Sequence, residues 1–114
     1  MRIEVRGRGT AVTDALRRHV EERFEVRIGK QVSELAQLDV ELLEEKNPAI
    51  ADDKVAEATL HLKGVTLRAR ESSGNLEHSV DLVADKIARQ VKRHREKRRG
   101  RREGAGIKAP PEPA

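Results

Sequence analysis

The sequence predicts an α+β fold, a two-layer sandwich in which a four-stranded sheet carries both helices on one face. Four short segments alternate apolar and polar residues with a period of two, as strands with a single buried face do. Two longer segments repeat apolar residues at every third or fourth position, as amphipathic helices do. Their order along the 114-residue chain is β-α-β-β-β-α. Because each segment has one apolar face, the economical arrangement packs both helices against the same side of the sheet.

The first strand and the first helix lie near the amino terminus. Residues 2–6 alternate polar and apolar side chains, which predicts a short strand. Thr13 is a typical N-cap residue, and apolar side chains then recur at every fourth position before Gly29, a natural C-terminal stop. These signals predict a helix over residues 14–28, and a right-handed crossover would make its two flanking strands parallel. The apolar stripe of this helix consists of Leu16, Val20, Phe24 and Ile28.

Three further strands are predicted over residues 38–42, 55–62 and 65–70, where apolar and polar side chains alternate again. Lys63 and Gly64 form a tight-turn signal between the last two, which predicts an antiparallel hairpin. The polar positions of all four strands should share the face of the sheet away from the helices. They mix both signs of charge, which is typical of a solvated face: Glu4, Arg6, Asp39, Glu41, Thr59, His61, Arg68 and Arg70.

The second helix follows a loop that ends at Asn75, a candidate N-cap. Its apolar stripe consists of Leu76, Val80, Val83, Ile87 and Val91. His94 extends the stripe, and Arg98 falls on the same line. The helix should therefore leave the body of the protein near residue 95 and continue as a cationic arm. The end of the chain is rich in Gly and Pro, which disfavour helix. We therefore predict one domain over residues 1–99 and a disordered tail over residues 100–114.

The composition excludes several functional classes. The chain has no Cys, so disulfides, thiolate metal sites and a Cys nucleophile are excluded. It has no run of about eighteen apolar residues to span a membrane, and its first residues lack the apolar core of a secretory signal, which favours the cytoplasm. No metal-ligand spacing, nucleophile elbow or phosphate loop is present, and the histidines are scattered. They are His19, His61, His78 and His94. We expect no enzyme, no cofactor or metal, and no small-molecule substrate.

The net charge of +4 conceals a strong segregation. Residues 1–85 hold 13 basic and 17 acidic side chains, whereas residues 86–102 hold seven Arg and three Lys against one acid. A solvated helix normally interleaves the two signs, so this ratio favours an anionic partner, and Arg-rich surfaces suit phosphate. The only aromatic residue is Phe24 on the buried stripe. Recognition of shape and phosphate on a folded RNA or a duplex is therefore favoured over base stacking. A membrane is disfavoured because the cationic helix has no exposed apolar residue to insert.

Three segments carry a resemblance to a known family. They are Val12–Arg17 in the first helix, Ala58–Gly64 in the third strand and its turn, and Asp85–Lys97, preceded by Asp81, in the second helix. In these segments the chain resembles the ribosome hibernation-promoting factors, also called ribosome-associated translation inhibitors or sigma-54 modulation proteins. It resembles their short form, which has no second domain. One departure is Glu77, where members of the family commonly have a Tyr.

The resemblance implies the β-α-β-β-β-α fold and binding in the channel between the head and body of the small ribosomal subunit. There the domain would exclude mRNA and tRNA sterically and stop translation in stress or stationary phase. Ribosomal RNA would be contacted from the helical side. Carried over by position, the contacts are Arg17, Arg23, Lys86, Arg89, Arg93, Arg95 and Lys97. Lys92 is added because it lies on the solvent side of the basic helix. The resemblance leaves open whether ribosome pairing is promoted or prevented.

A second class of function is compatible with the same basic helix. The domain would then be a protein-interaction module whose cationic arm docks on an acidic protein or a sigma factor. The two hypotheses differ in their partner after nuclease treatment. An interaction module would co-purify with that protein alone, whereas a ribosome-binding inhibitor would migrate with ribosomal subunits.

Overall fold

A computed structural model describes the backbone of residues 1–45 and 51–103, and the side chains of residues 1–45 and 51–97. The predicted element order is confirmed. The elements are β1 (Arg2–Arg8), α1 (Asp14–Ile28), β2 (Gln37–Glu44), β3 (Lys54–Leu62), β4 (Val65–Ser73) and α2 (Leu76–Glu103). Each strand extends past its predicted bounds, because backbone pairing with a neighbouring strand continues beyond the last alternating apolar side chain.

The four strands form one mixed sheet in the order β1-β2-β3-β4. β1 and β2 are parallel, as the crossover through α1 requires, whereas β2–β3 and β3–β4 are antiparallel. The last pair is the predicted hairpin, in which Leu62 pairs with Val65 across the turn. Gly64 has a φ of 80° in this turn, a conformation that side chains with a Cβ rarely adopt.

Both helices pack on one face of the sheet, as predicted. Val5, Val40, Ala58 and Ala69 stand side by side across the four strands on this face. They join a single core with the helix stripes, and each fully buried aliphatic side chain contributes about 1.5–3 kcal/mol. The helix residues buried in it are Leu16, Val20, Phe24 and Ile28 of α1, and Val80, Val83, Ala84, Ile87 and Val91 of α2. Both predicted stripes are therefore confirmed, with Leu76 half-buried at the start of α2.

The expectation of a sheet that is apolar on one face only is wrong at one corner. Leu43 pairs with Val55 on the face away from the helices, and both side chains are buried. The pair lies where the chain leaves β2 and returns to β3, and the Glu45 N–H donates to the Asp53 carbonyl at 2.8 Å to close that connection. Leu43 lies beyond the predicted end of the second strand, so the cross-strand apolar contact was not anticipated.

The rest of this outer face is polar, as predicted, and ion pairs and a His–Asp hydrogen bond cross it. Arg8 lies 3.3 Å from Glu41, and His61 lies 3.2 Å from Asp39. Arg70 contacts Glu57 at 2.6 Å and also pairs with Glu45. In each pair a basic side chain lies beside an acidic one and both remain partly exposed to water, which is consistent with a solvated surface.

The start of α2 is anchored by a buried serine. The Ser79 hydroxyl donates to the Lys54 carbonyl at 2.7 Å and lies 2.7 Å from the Ser73 hydroxyl. Asn75 caps the helix as predicted, because its Oδ1 accepts from the His78 N–H at 3.1 Å. The Lys54 side chain pairs with Glu44 at 3.2 Å, and this contact raises the pKa of Lys54. The serine therefore ties the helix to the first residue of β3.

Replacing Ser79 by Ala should destabilise the domain by about 1–3 kcal/mol, because the partly buried Lys54 carbonyl loses its hydroxyl donor. Urea unfolding monitored by circular dichroism measures the change. Ser72→Ala is the matched control, since Ser72 is exposed and its loss should stay within about 0.5 kcal/mol. Equal stability of the two variants would show that the hydroxyl of Ser79 does not anchor α2.

The helix α2 is 28 residues long, about 42 Å at the usual rise per residue. The predicted tail starts at residue 100, yet residues 100–103 are helical. One Gly costs a helix only about 1 kcal/mol, and Arg, which flanks Gly100, is a good helix former. The remainder of that tail, residues 104–114, lies outside the described residues, so the division at residue 99 stays a prediction.

Candidate nucleic-acid interface

The two helices lie side by side and run in the same direction. The ion pairs between them show this direction, because later residues of α1 contact later residues of α2. His19 and Arg23 contact Asp81, whereas Arg27 contacts Asp85. The C-terminal ends of α1 and α2 therefore lie at the same end of the sheet.

The seam between α1 and α2 is formed by charged and polar side chains at the edge of the core. Asp81 Oδ1 lies 2.8 Å from His19 Nε2 and 2.9 Å from Arg23 Nε, so one carboxylate oxygen serves two partners. The Arg27 Nη2 atom lies 3.0 Å from Asp85 Oδ1. All five side chains are partly exposed. The acids of α2 thus engage the basic side of α1 that faces them.

The opposite flank of α2 is fixed to β4. Lys86 Nζ lies 2.7 Å from Glu71 Oε1, and Gln90 Nε2 donates to the Arg68 carbonyl at 2.8 Å. The first half of α2 is therefore held by polar contacts on both sides and by the core beneath it. Beyond Val91, the last residue of the buried stripe, the helix carries mainly exposed side chains.

Most of the basic residues predicted to contact RNA are presented to solvent. Among the side chains of residues 1–45 and 51–97, most of the predicted contact residues are exposed and make no ion pair or hydrogen bond. They are Arg17, Arg89, Lys92, Arg93 and Arg95. Lys97 is exposed as well. Arg23 and Lys86 are different, since Asp81 and Glu71 already engage them.

The predicted contact residues do not form a single cluster. Four exposed basic residues of α2 are unpaired among the described side chains, and we call them the basic stripe. They follow one another along the middle of the helix: Arg89, Lys92, Arg93 and Arg95. Arg17 lies near the start of α1, hence towards the other end of the sheet, and it is about 120° around the helix axis from Arg23. The structure brings the stripe together and leaves Arg17 apart.

Two features of this surface were not predicted from the sequence. Arg18 is exposed and, within the part of the chain whose side chains are described, unpaired, so it adds a cation next to Arg17. A sequence signal for Arg18 exists, because it follows the buried Leu16 by two residues. That spacing places it about 200° around the helix, on the solvent side of α1. Asp81 belongs to a recognised motif, but its contact with α1 joins residues 62 positions apart and leaves no local signal.

Other kinds of site find no support in the described residues. In that part of the chain, no group of three or more His, Asp or Glu side chains is arranged to hold a metal ion. None of its helices combines the length and the apolar character needed to cross a bilayer.

Comparison with known proteins tests the resemblance seen in the sequence. The profile of the family described as "Sigma 54 modulation protein / S30EA ribosomal protein" matches residues 3–99. The chain belongs to this family. The match runs from the second residue of β1 to residue 99 in α2, so it includes the basic stripe.

Two curated relatives in the family are named for ribosome hibernation. The ribosome hibernation promotion factor of Picosynechococcus sp. is 36% identical over 102 residues, which cover 90% of this chain and 53% of the relative. The ribosome hibernation promoting factor of Azotobacter vinelandii is 34% identical over 104 residues, which cover 91% of this chain and 92% of the relative. The chain thus spans about half the length of the first and nearly all of the second.

Solved structures share the fold. The N-terminal domain of Thermus thermophilus Protein Y superposes with a TM-score of 0.70 at 27% identity, covering 82% of this chain and 99% of that domain. A ribosomal subunit interface protein from Coxiella burnetii superposes with a TM-score of 0.68 at 21% identity, covering 84% of this chain and 99% of that protein. The predicted family and fold are both confirmed.

Proposed function

We propose that this chain binds the small ribosomal subunit in the channel used by mRNA and tRNA. By occupying that channel in the cytoplasm of stressed or stationary-phase cells, it inhibits translation. Membership of a family whose relatives are named for ribosome hibernation supports the proposal. The observation that carries it is the basic stripe of α2, whose cations are exposed and unpaired among the described side chains.

The stripe is built to meet an anion. Arg89 and Arg93 stand four residues apart, which places their Cβ atoms about 6 Å from each other on one side of the helix. Like charges at this spacing repel and weaken the helix. An array of phosphates removes that repulsion and accepts the planar guanidinium groups in bidentate fashion. Ribosomal RNA offers such an array.

The turns of α2 that begin the basic stripe are fixed to the rest of the domain. Gln90 is bonded to β4, and the buried Ile87 and Val91 fix the same turns to the core. A pre-ordered helix spends less free energy on ordering when it binds than a flexible basic tail does. The one aromatic residue, Phe24, is fully buried, so contacts would go to phosphate rather than to stacked bases. Inhibition would then follow from occupancy of the channel, without bond making or breaking.

Binding to purified small subunits should depend steeply on salt. If about six phosphates are neutralised, the logarithm of the association constant should fall against the logarithm of salt with a slope of roughly −4 to −5. Titration of the fluorescently labelled 114-residue chain with small subunits over a range of KCl concentrations measures the slope. A nearly flat dependence would contradict binding through the basic stripe.

Sedimentation distinguishes this function from that of a protein-interaction module. In a sucrose gradient of extract from starved cells, the protein should migrate with ribosomal particles containing the small subunit. Nuclease treatment of the sample should release it. If the protein instead remains at the top of the gradient and co-purifies with an acidic protein, it is an interaction module.

A further inference from the structure

One of the predicted RNA contacts is held in place by an internal carboxylate. Arg23 approaches Asp81 Oδ1 through Nε at 2.9 Å, and Nε is the guanidinium nitrogen nearest to the backbone. The two terminal Nη groups therefore extend beyond the ion pair. His19 Nε2 lies 2.8 Å from the same oxygen, and because a carboxylate only accepts hydrogen bonds, Nε2 is the donor.

Arg23 remains within reach of a ligand. Its side chain is 42% exposed. It lines an open depression on α1 together with His19, Glu22 and Val26. A neighbouring ion pair of the seam has the opposite geometry, because Arg27 meets Asp85 through the terminal nitrogen Nη2. The carboxylate of Asp85 thus occupies the end of the guanidinium that would bind phosphate, whereas that of Asp81 does not.

We propose that Asp81 is a positioning residue for RNA binding, which holds Arg23 so that its Nη groups meet a phosphate at this depression. The inference rests on the proposed function. A long Arg side chain loses rotamer freedom when it binds, and an existing ion pair removes most of that loss. Water screens the repulsion between the Asp81 carboxylate and a phosphate at this partly exposed site. Pre-ordering therefore outweighs the charge that Asp81 subtracts.

Three variants that each remove one negative charge test the proposal: Asp81→Asn, Asp85→Asn and Glu22→Gln. A simple charge effect predicts that all three bind small subunits as tightly as the wild type or more tightly. Positioning predicts that Asp81→Asn alone weakens binding, by about 3- to 10-fold. Its salt slope should also be shallower by roughly 0.7–0.9, the loss of one phosphate contact. Thermal unfolding of each variant verifies that it is folded at the assay temperature.

A double-mutant cycle shows whether Asp81 acts through Arg23. In the Arg23→Gln background, Asp81→Asn should have no further effect on the dissociation constant. If it weakens binding equally in both backgrounds, the positioning role is overturned. If the wild type binds small subunits and Asp81→Asn binds at least as tightly, positioning is also overturned while the proposed function stands. If the wild type itself does not bind, the proposed function fails and this inference fails with it.

Discussion

Changing Arg89, Arg93 and Arg95 together to Glu is expected to abolish binding to the small ribosomal subunit while the domain stays folded. A hydrogen bond to a charged group contributes about 1.5–3 kcal/mol, so loss of three such contacts weakens binding by roughly 10³-fold or more. The reversed charges then repel the phosphates as well. The fold should persist because all three side chains are exposed and, among the described residues, have no partner to lose. Equilibrium titration with labelled protein measures the affinity.

The matched control reverses three charges on the other side of the molecule. Arg2, Arg6 and Arg68 are exposed on the face of the sheet away from the helices, so their change to Glu alters the net charge equally. Because salt screens charges over about 8 Å at physiological ionic strength, this control should bind much more tightly than the α2 variant. Equal losses in the two triple variants would mean that total charge, rather than the basic stripe, governs binding.

Replacing Phe24 by Ala is expected to produce the largest loss of stability from a single change. The side chain is 0% exposed and belongs to the core that joins α1 to the sheet and α2. Truncation of a buried Phe costs about 3–5 kcal/mol, a large part of the 5–15 kcal/mol that stabilises a typical domain. The melting temperature should fall by roughly 15–30 °C. Differential scanning calorimetry measures it directly.

Val26→Ala on the same helix is the control for this change. Val26 is 80% exposed, so removing its methyl groups leaves no cavity, and the effect should stay within about 0.5 kcal/mol. Below its lowered melting temperature, the Phe24 variant should still bind small subunits, since the basic stripe is untouched. A Phe24 variant as stable as the control would mean that α1 is not held to the core by this side chain.

Much of the fold follows from patterns that the chain carries locally. The stripe from Leu16 to Ile28 and the stripe from Val80 to Val91 were predicted from spacing alone, and both are buried. The strand ends were less accessible to prediction, because backbone pairing does not stop where alternation stops. Leu43 shows the consequence, since its burial on the outer face depends on Val55 across the sheet.

The candidate site, like the fold, was predictable in part from the sequence. The concentration of positive charge in residues 86–102 is a property of composition, and its place on a helix follows from the periodicity around it. The role of its members as RNA contacts stays a prediction. What could not be read from the chain is which cations are already neutralised. Lys86 and Arg93 look alike in sequence, yet Glu71 engages only Lys86.

The element order, the buried stripes and the location of the excess positive charge all follow from local patterns, since each depends on residues within a few turns of one another. Tertiary structure alone decided which basic side chains are bound internally and which face solvent. An ion pair forms only when two groups come within about 4 Å, and Arg23 and Asp81 reach that distance only because two helices remote in sequence pack side by side on one sheet.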